Sequence, residues 1–184
     1  NENIKYIHST KQYTIGEKRN LMCVLSKSDY MLFLKHPAWL WVKKHAKNLI
    51  PPVSPELQAR FDEGNQFEPY AEALFPDLIR LGFGDFQSYL NLPFETQQAW
   101  DNGAVAVAQG RYESGSITCI SDVVSKDGNE YILTEIKSST RKKDEHIYDL
   151  AFQRVVLESC GFPVKKCEIG HVNSQYIRHG EINP

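Results

Sequence analysis

The tightest local constraint in this chain is Lys126-Asp127-Gly128-Asn129, set between two runs rich in Val, Ile, Thr and Tyr. Asp-Gly between such runs is the strongest short hairpin signal, because glycine adopts the left-handed backbone of the turn without steric cost. The runs, 116–125 and 130–138, are therefore predicted to be antiparallel neighbours. With Asp127-Gly128 as the two-residue turn, Lys126 faces Asn129 and Asp122 faces Leu133. Residues two apart on a strand share a face, so Asp122, Glu135 and Lys137 are predicted on one side of the hairpin. Glu135 then becomes the diagonal neighbour of Asp122, roughly 7–8 Å away at the backbone. Val123, Ile132 and Ile136 make the remaining faces apolar, so both strands read as buried on both sides. Two carboxylates and a lysine in such surroundings are costly unless a cation or a partner compensates them. A hard divalent cation with oxygen ligands at roughly 2.0–2.1 Å fits between two such carboxylates.

The 184 residues suffice for one domain, 1–184, with a real core. A net charge of −2 excludes a protein that holds nucleic acid by bulk positive charge, but leaves room for a local basic groove. No apolar run approaches the ~20 residues of a membrane span, and no signal peptide is visible. The chain opens on Asn1 rather than Met and stops at Pro184 just after strand-like sequence, which reads as a piece of a longer protein. Cys23, Cys119, Cys160 and Cys167 form no C-x-x-C pair and read as free thiols of a reducing cytoplasm.

Around the hairpin the pattern alternates between helix and strand. Residues 1–20 read as a short strand or loose arm. Ser26 followed by Asp29 reads as a helix cap, Pro37 interrupts that helix, and 39–46 form a second one. Ser54-Pro55 caps a third helix carrying Leu57, Phe61, Ala71, Leu74 and Phe75, weakened by Gly64 and Pro69. Residues 77–92 read as a short strand and turn, 93–100 as a short helix and 104–109 as a strand. A long helix over 144–159 stops at Gly161, and strands follow at 164–172 and 175–182. Trp39, Trp41, Phe33 and Phe61 are predicted in the core. The class is α/β: a mixed central sheet flanked by helices, with helical elements ahead of it.

Asp122 followed by Glu135-Ile136-Lys137 on the next strand resembles the PD-(D/E)xK nuclease superfamily. Two further features resemble its RecB-like branch, which includes CRISPR-associated exonucleases. Gly64-x-x-x-Glu68 lies on the helix before the sheet. Gln153, within Tyr148-Asp149-Leu150-Ala151-Phe152-Gln153, lies on the helix after the Glu-x-Lys strand. Leu25-Ser26-Lys27-Ser28-Asp29-Tyr30 and His36-Pro37-Ala38-Trp39-Leu40-Trp41 resemble the opening helices of that branch, so the likeness covers roughly residues 21–182. Two positions depart from it. His36 stands where iron–sulfur members carry a cysteine, which argues against a cluster. Leu157 stands where the branch often has the tyrosine of Gln-x-x-x-Tyr.

The resemblance implies a restriction-endonuclease-like core and metal-assisted hydrolysis of DNA phosphodiester bonds, in single or double strands, in repair or in defence against foreign DNA. Asp122, Glu135 and the Ile136 carbonyl would hold Mg²⁺ or Mn²⁺, with Glu68 completing the shell. Lys137 would orient the nucleophile or stabilise the transition state, and Gln153 would position the lysine, the water or a phosphate. Arg141-Lys142-Lys143 and Lys165-Lys166, with Lys43-Lys44, are candidate contacts to the nucleic-acid backbone. Further domains or a helicase-type partner would complete the machine. The competing readings are a nuclease-like fold kept as a nucleic-acid or protein-binding module, and a restriction-type endonuclease. For the hairpin alone, the bland alternative is an ordinary cross-strand ion pair. A zinc site from Cys23, His36, Cys160 and Cys167 has little support in the spacing.

Overall fold

A computed structural model describes residues 24–175 and residue 177. The elements run β1 (Leu25–Ser26), α1 (Lys27–Lys35), α2 (Pro37–His45), α3 (Pro55–Glu72), β2 (Leu78–Arg80), α4 (Phe86–Asp101), β3 (Ala106–Ser114), β4 (Ile117–Asp127), β5 (Glu130–Lys137), α5 (Asp144–Ser159) and β6 (Val164–His171). The strands form one mixed sheet in the order β2-β3-β4-β5-β6, with β1 added beside β4. β3, β4 and β5 are an antiparallel meander, while β2 and β6 join its two sides in parallel. This is the expected α/β class, a mixed sheet flanked by helices, and it is consistent with a restriction-endonuclease-like core. The expected arm at 1–20, Cys23 and most of the expected strand at 175–182 lie outside the described residues.

The helix starts follow from local chemistry. Ser26 accepts from the Asp29 N–H, and Asp29 accepts from the Ser26 N–H, so both caps of the predicted box form. His36 ends α1 and caps α2, its Nδ1 accepting from the Ala38 N–H at 3.2 Å. Ser54 caps α3, which runs on through Gly64 and Pro69. α4 corrects the expected short helix at 93–100. It begins seven residues earlier, at Phe86, because Asp85 and Ser88 form a second capping box. Pro93 therefore lies inside the helix rather than at its start. Its missing N–H leaves the Tyr89 carbonyl without its helical donor, and the Arg111 guanidinium donates to that oxygen at 2.8 Å instead.

The hairpin also differs by a small step. Asp127 pairs with Glu130, so the turn is Gly128-Asn129, with Gly128 at φ 66 supplying the left-handed first position. Val124, not Asp122, faces Leu133. A two-residue shift is one full side-chain period, so the predicted faces survive while the partners change. Continuing the register brings Asp122 directly opposite Glu135 rather than diagonal to it.

Helices cover both faces of the sheet. α5 lays Leu150, Val156 and Leu157 on Val124, Leu133, Tyr112 and Phe162. α3 sends Phe67 and Ala71 to the opposite side, against Ala108, Val123 and Ile136. Trp39, Trp41, Phe33 and Phe61 do not join this core: they are 54%, 59%, 45% and 50% exposed. Phe61 lies on α3, which packs through Phe67 and Ala71, and for Phe33, Trp39 and Trp41 the reason is that α1 and α2 dock through charge. Asp29 is buried and takes Lys43 at 2.7 Å and Lys44 at 2.6 Å, leaving the aromatic sides of both helices outward.

Candidate active site

β4 changes neighbour along one edge. Ile117 and Thr118 pair with β1, Val123 to Asp127 pair with β5, and the edge at 119–122 pairs with neither. The sheet forks there, and Asp122 sits at the fork. β3 bends at the same level. Gln109, facing Asp122 between the pairs Ala108–Val123 and Gly110–Ser121, takes φ 55 and drops out of the ladder. A glutamine in that left-handed region stores on the order of 1 kcal/mol of strain. Asp122 itself takes over a ladder function: its Oδ2 accepts the Ile136 N–H at 2.7 Å.

Three other elements reach the fork. β5 ends there and delivers Glu135 and Lys137. α5 faces the sheet along a stripe of His146, Asp149, Leu150, Gln153, Val156 and Leu157, spaced at helical intervals. The end of that stripe, Val156 and Leu157, is apolar, while His146, Asp149 and Gln153 carry the polar groups, and Asp149 and Gln153 lie at the site. α1 starts directly after β1, so its first residue, Lys27, also points in. Glu135 is the hub, 1% exposed. Lys27 Nζ donates to both its oxygens at 3.2 Å, Gln153 Nε2 donates to Oε2 at 2.6 Å, and Lys137 Nζ donates to Oε1. Asp149 braces the same three donors: Gln153 at 2.8 Å and each lysine at 3.5 Å.

The two acids are driven in opposite directions. Burial, and then the charge of Glu135, pushes Asp122 up to about 6, against the pull of Lys27. Burial also opposes the charge of Glu135, yet Lys27 and Lys137 overcome it and hold this carboxyl down at about 2. Burial raises Asp149, with Lys27 pulling against it and Glu135 adding to the rise. Burial disfavours the charge on Lys137 and Lys27, but Glu135 dominates and both stay raised. Gln153 is fully buried, and its Oε1 has no hydrogen-bond partner. A centre with surplus acid and an orphan amide oxygen has room in its chemistry for one more cationic or donor group.

Asp122, Glu135, Lys137 and Gln153, each expected from the sequence, therefore meet in one place. Lys27 and Asp149 were missed. Both lie inside segments that carry the family likeness, but only their convergence across the fold marks them as site residues. Glu68 takes a different set of partners: Arg80 at 3.6 Å and Gln109 at 3.4 Å. Gln109 is the β3 residue that stands opposite Asp122, between the pairs Ala108–Val123 and Gly110–Ser121. Arg141, Lys142 and Lys143 lie exposed between β5 and α5, and Lys143 of these lines a cleft of about 300 Å³ together with Lys137, Ser139, His146 and Asp149. The remaining basic candidates are engaged: Lys43 and Lys44 with Asp29, Lys165 with Asp127 at 2.8 Å. Leu157 is fully buried against Val124 and Leu133, a packing position rather than a substrate-facing one.

Among the described residues no three His, Cys, Asp or Glu side chains converge as a ready ligand cage. Two hard carboxylates with the Ile136 carbonyl nevertheless fit an ion such as Mg²⁺, which needs one or two carboxylates and keeps several waters. No family model matches the chain, and no curated protein matches it. Among the described residues no helix is long and apolar enough to cross a membrane.

Proposed function

We propose that this protein is a Mg²⁺- or Mn²⁺-dependent nuclease of RecB-like type, hydrolysing DNA phosphodiester bonds inside the cell in repair or in defence against foreign DNA. The observation that carries this reading is the meeting of Asp122, Glu135 and Lys137 at a fork in the sheet, with Gln153 bonded to Glu135 from the following helix. Asp122, Glu135 and the Ile136 carbonyl would hold the ion. When bound, the ion lowers the pKa of a water and screens charge on the scissile phosphate.

The chain's own groups do the rest. Gln153 fixes the Glu135 carboxylate, so its free rotation is already removed before substrate arrives. Asp149 and Glu135 hold the Lys137 ammonium in its charged form at the mouth of the cleft. There it orients the attacking oxygen or meets the negative charge that develops on the phosphate. The loop of Arg141, Lys142 and Lys143 would track the backbone of the nucleic acid.

The test is digestion of single- and double-stranded DNA with and without Mn²⁺, alongside Glu135→Ala and Lys137→Ala. Metal-dependent cutting lost in both variants supports the reading. Equal cutting by either variant and the wild type would sink it. One observation favours a second reading, a module that binds nucleic acid or protein without cutting. Both Glu135 oxygens already carry N–H donors, so an ion on this carboxylate has to displace or share with one of them. Metal-independent binding with no turnover on any substrate would select it.

A further inference from the structure

Lys27 sits where an ion would be expected. Its ammonium is equidistant from both oxygens of Glu135, at 3.2 Å, and lies 3.5 Å from Asp149. It reaches the fork because β1 occupies only the first two positions of the β4 edge, and the chain turns into α1 at the next residue. It also mirrors Lys137: each lysine binds Glu135, and each binds one oxygen of Asp149.

Resting on the nuclease reading, we propose that Lys27 is a second, built-in cation of this centre. Its ammonium holds on Glu135 the place of a further divalent ion. The site therefore admits one divalent ion, beside Asp122, and Lys27 supplies to a phosphodiester the charge a second ion would bring.

The charge balance supports this. Asp122, Glu135 and Asp149 against Lys27 and Lys137 leave one negative charge. One divalent ion turns that into one positive charge, and the single negative charge of a phosphodiester neutralises it. A second divalent ion would leave two positive charges unmatched at a buried centre, which is costly. The unpartnered Oε1 of fully buried Gln153, on the amide that bonds both Glu135 and Asp149, points independently to a group the chain does not itself provide.

The experiment measures Mn²⁺ equivalents by equilibrium dialysis and calorimetry on the whole chain. It compares the wild type with Lys27→Met, Lys27→Gln and Lys27→Arg. The expected result is one equivalent in the wild type and in Lys27→Arg, and two in Lys27→Met and Lys27→Gln. A thermal scan gives a second readout, in which Mn²⁺ raises the Tm of the neutral variants more than that of the wild type. No ion in the wild type but one in the neutral variants would support the role of Lys27 while sinking the nuclease reading. The same number of equivalents in wild type and neutral variants, including none in either, would overturn the inference.

Discussion

Among the described residues, two of the buried charge clusters on the sheet are built to opposite plans. On β3, Arg111 is 1% exposed, with one carboxylate, Glu113, as its ion partner. It donates from Nε to Thr118 at 3.1 Å and from Nη1 to the Tyr89 carbonyl at 2.8 Å, and its guanidinium lies 3.9 Å from the centre of the Tyr89 ring. One cation meets one anion, and the planar fork is spread over fixed acceptors. At the β4 fork, three carboxylates crowd two lysines, the acids titrate in opposite directions, and an amide oxygen is left over. The first cluster joins α4 to the sheet. The second is incomplete in itself, as expected of a place that binds something.

The largest effect that would break this contrast lies in the chemistry. Glu135→Ala or Lys137→Ala is expected to cut metal-dependent cleavage by about 10³-fold or more, since the first removes a ligand of the ion and the second a positive charge aimed at the reacting phosphate. Rates within tenfold of wild type would place the fork cluster in the same structural class as Arg111. Arg111→Met is the opposite case. It removes the buried cation beside Glu113 and leaves the Tyr89 carbonyl without its donor, and is expected to destabilise the fold by about 3–5 kcal/mol. Denaturant unfolding checks the loss, and cleavage per folded molecule should stay near wild type.

A third expectation separates the two acids by sign. The Asp122 carboxyl is raised on folding, so the folded state binds the extra proton, and stability falls as pH climbs from the unfolded value through about 6. Asp122→Asn should therefore raise Tm at pH 8, where the penalty is fully present, while removing cleavage. Glu135 is depressed, so its stabilisation is present above its unfolded value and is lost as pH falls toward about 2. Glu135→Gln should lower Tm at pH 8. Thermal scans of both variants across pH decide it, and equal signs would refute the opposed environments. The smallest effect belongs to the rim. Replacing Arg141, Lys142 and Lys143 by alanine should weaken DNA binding and flatten its salt dependence by about 0.9 in log–log slope for each phosphate that the loop no longer neutralises. Fluorescence anisotropy over a salt series reads this, and an unchanged slope would remove the loop from the interface.

What could be read in the chain follows the range of the physics. Capping boxes, the Pro37 break, the span of α5 and the alternation on β4 and β5 are local, set by residues a few positions apart. So the helices, the strands and the shared face of Asp122, Glu135 and Lys137 were legible, and the face even survived a register shifted by two. The start of α4 was misread because Pro93 looks like a helix opening; only Arg111, from a neighbouring strand, makes it tolerable inside. The aromatic residues of α1 and α2 were misplaced in the core because their helices are docked by the buried pairs on Asp29, which apolar spacing does not register.

The sequence by itself therefore determined most of the elements, the existence of the hairpin and a catalytic-looking set of acids with a lysine. Only the tertiary structure decided which groups complete that set. Lys27 reaches Glu135 across 108 positions of chain, and no spacing rule connects them. It arrives because a two-residue strand shares the β4 edge with β5 and leaves a gap between them. Glu68 was drawn to Arg80 and Gln109 for the same kind of reason: opposite charge and a bent strand close in space decide its partners, not its place in a motif.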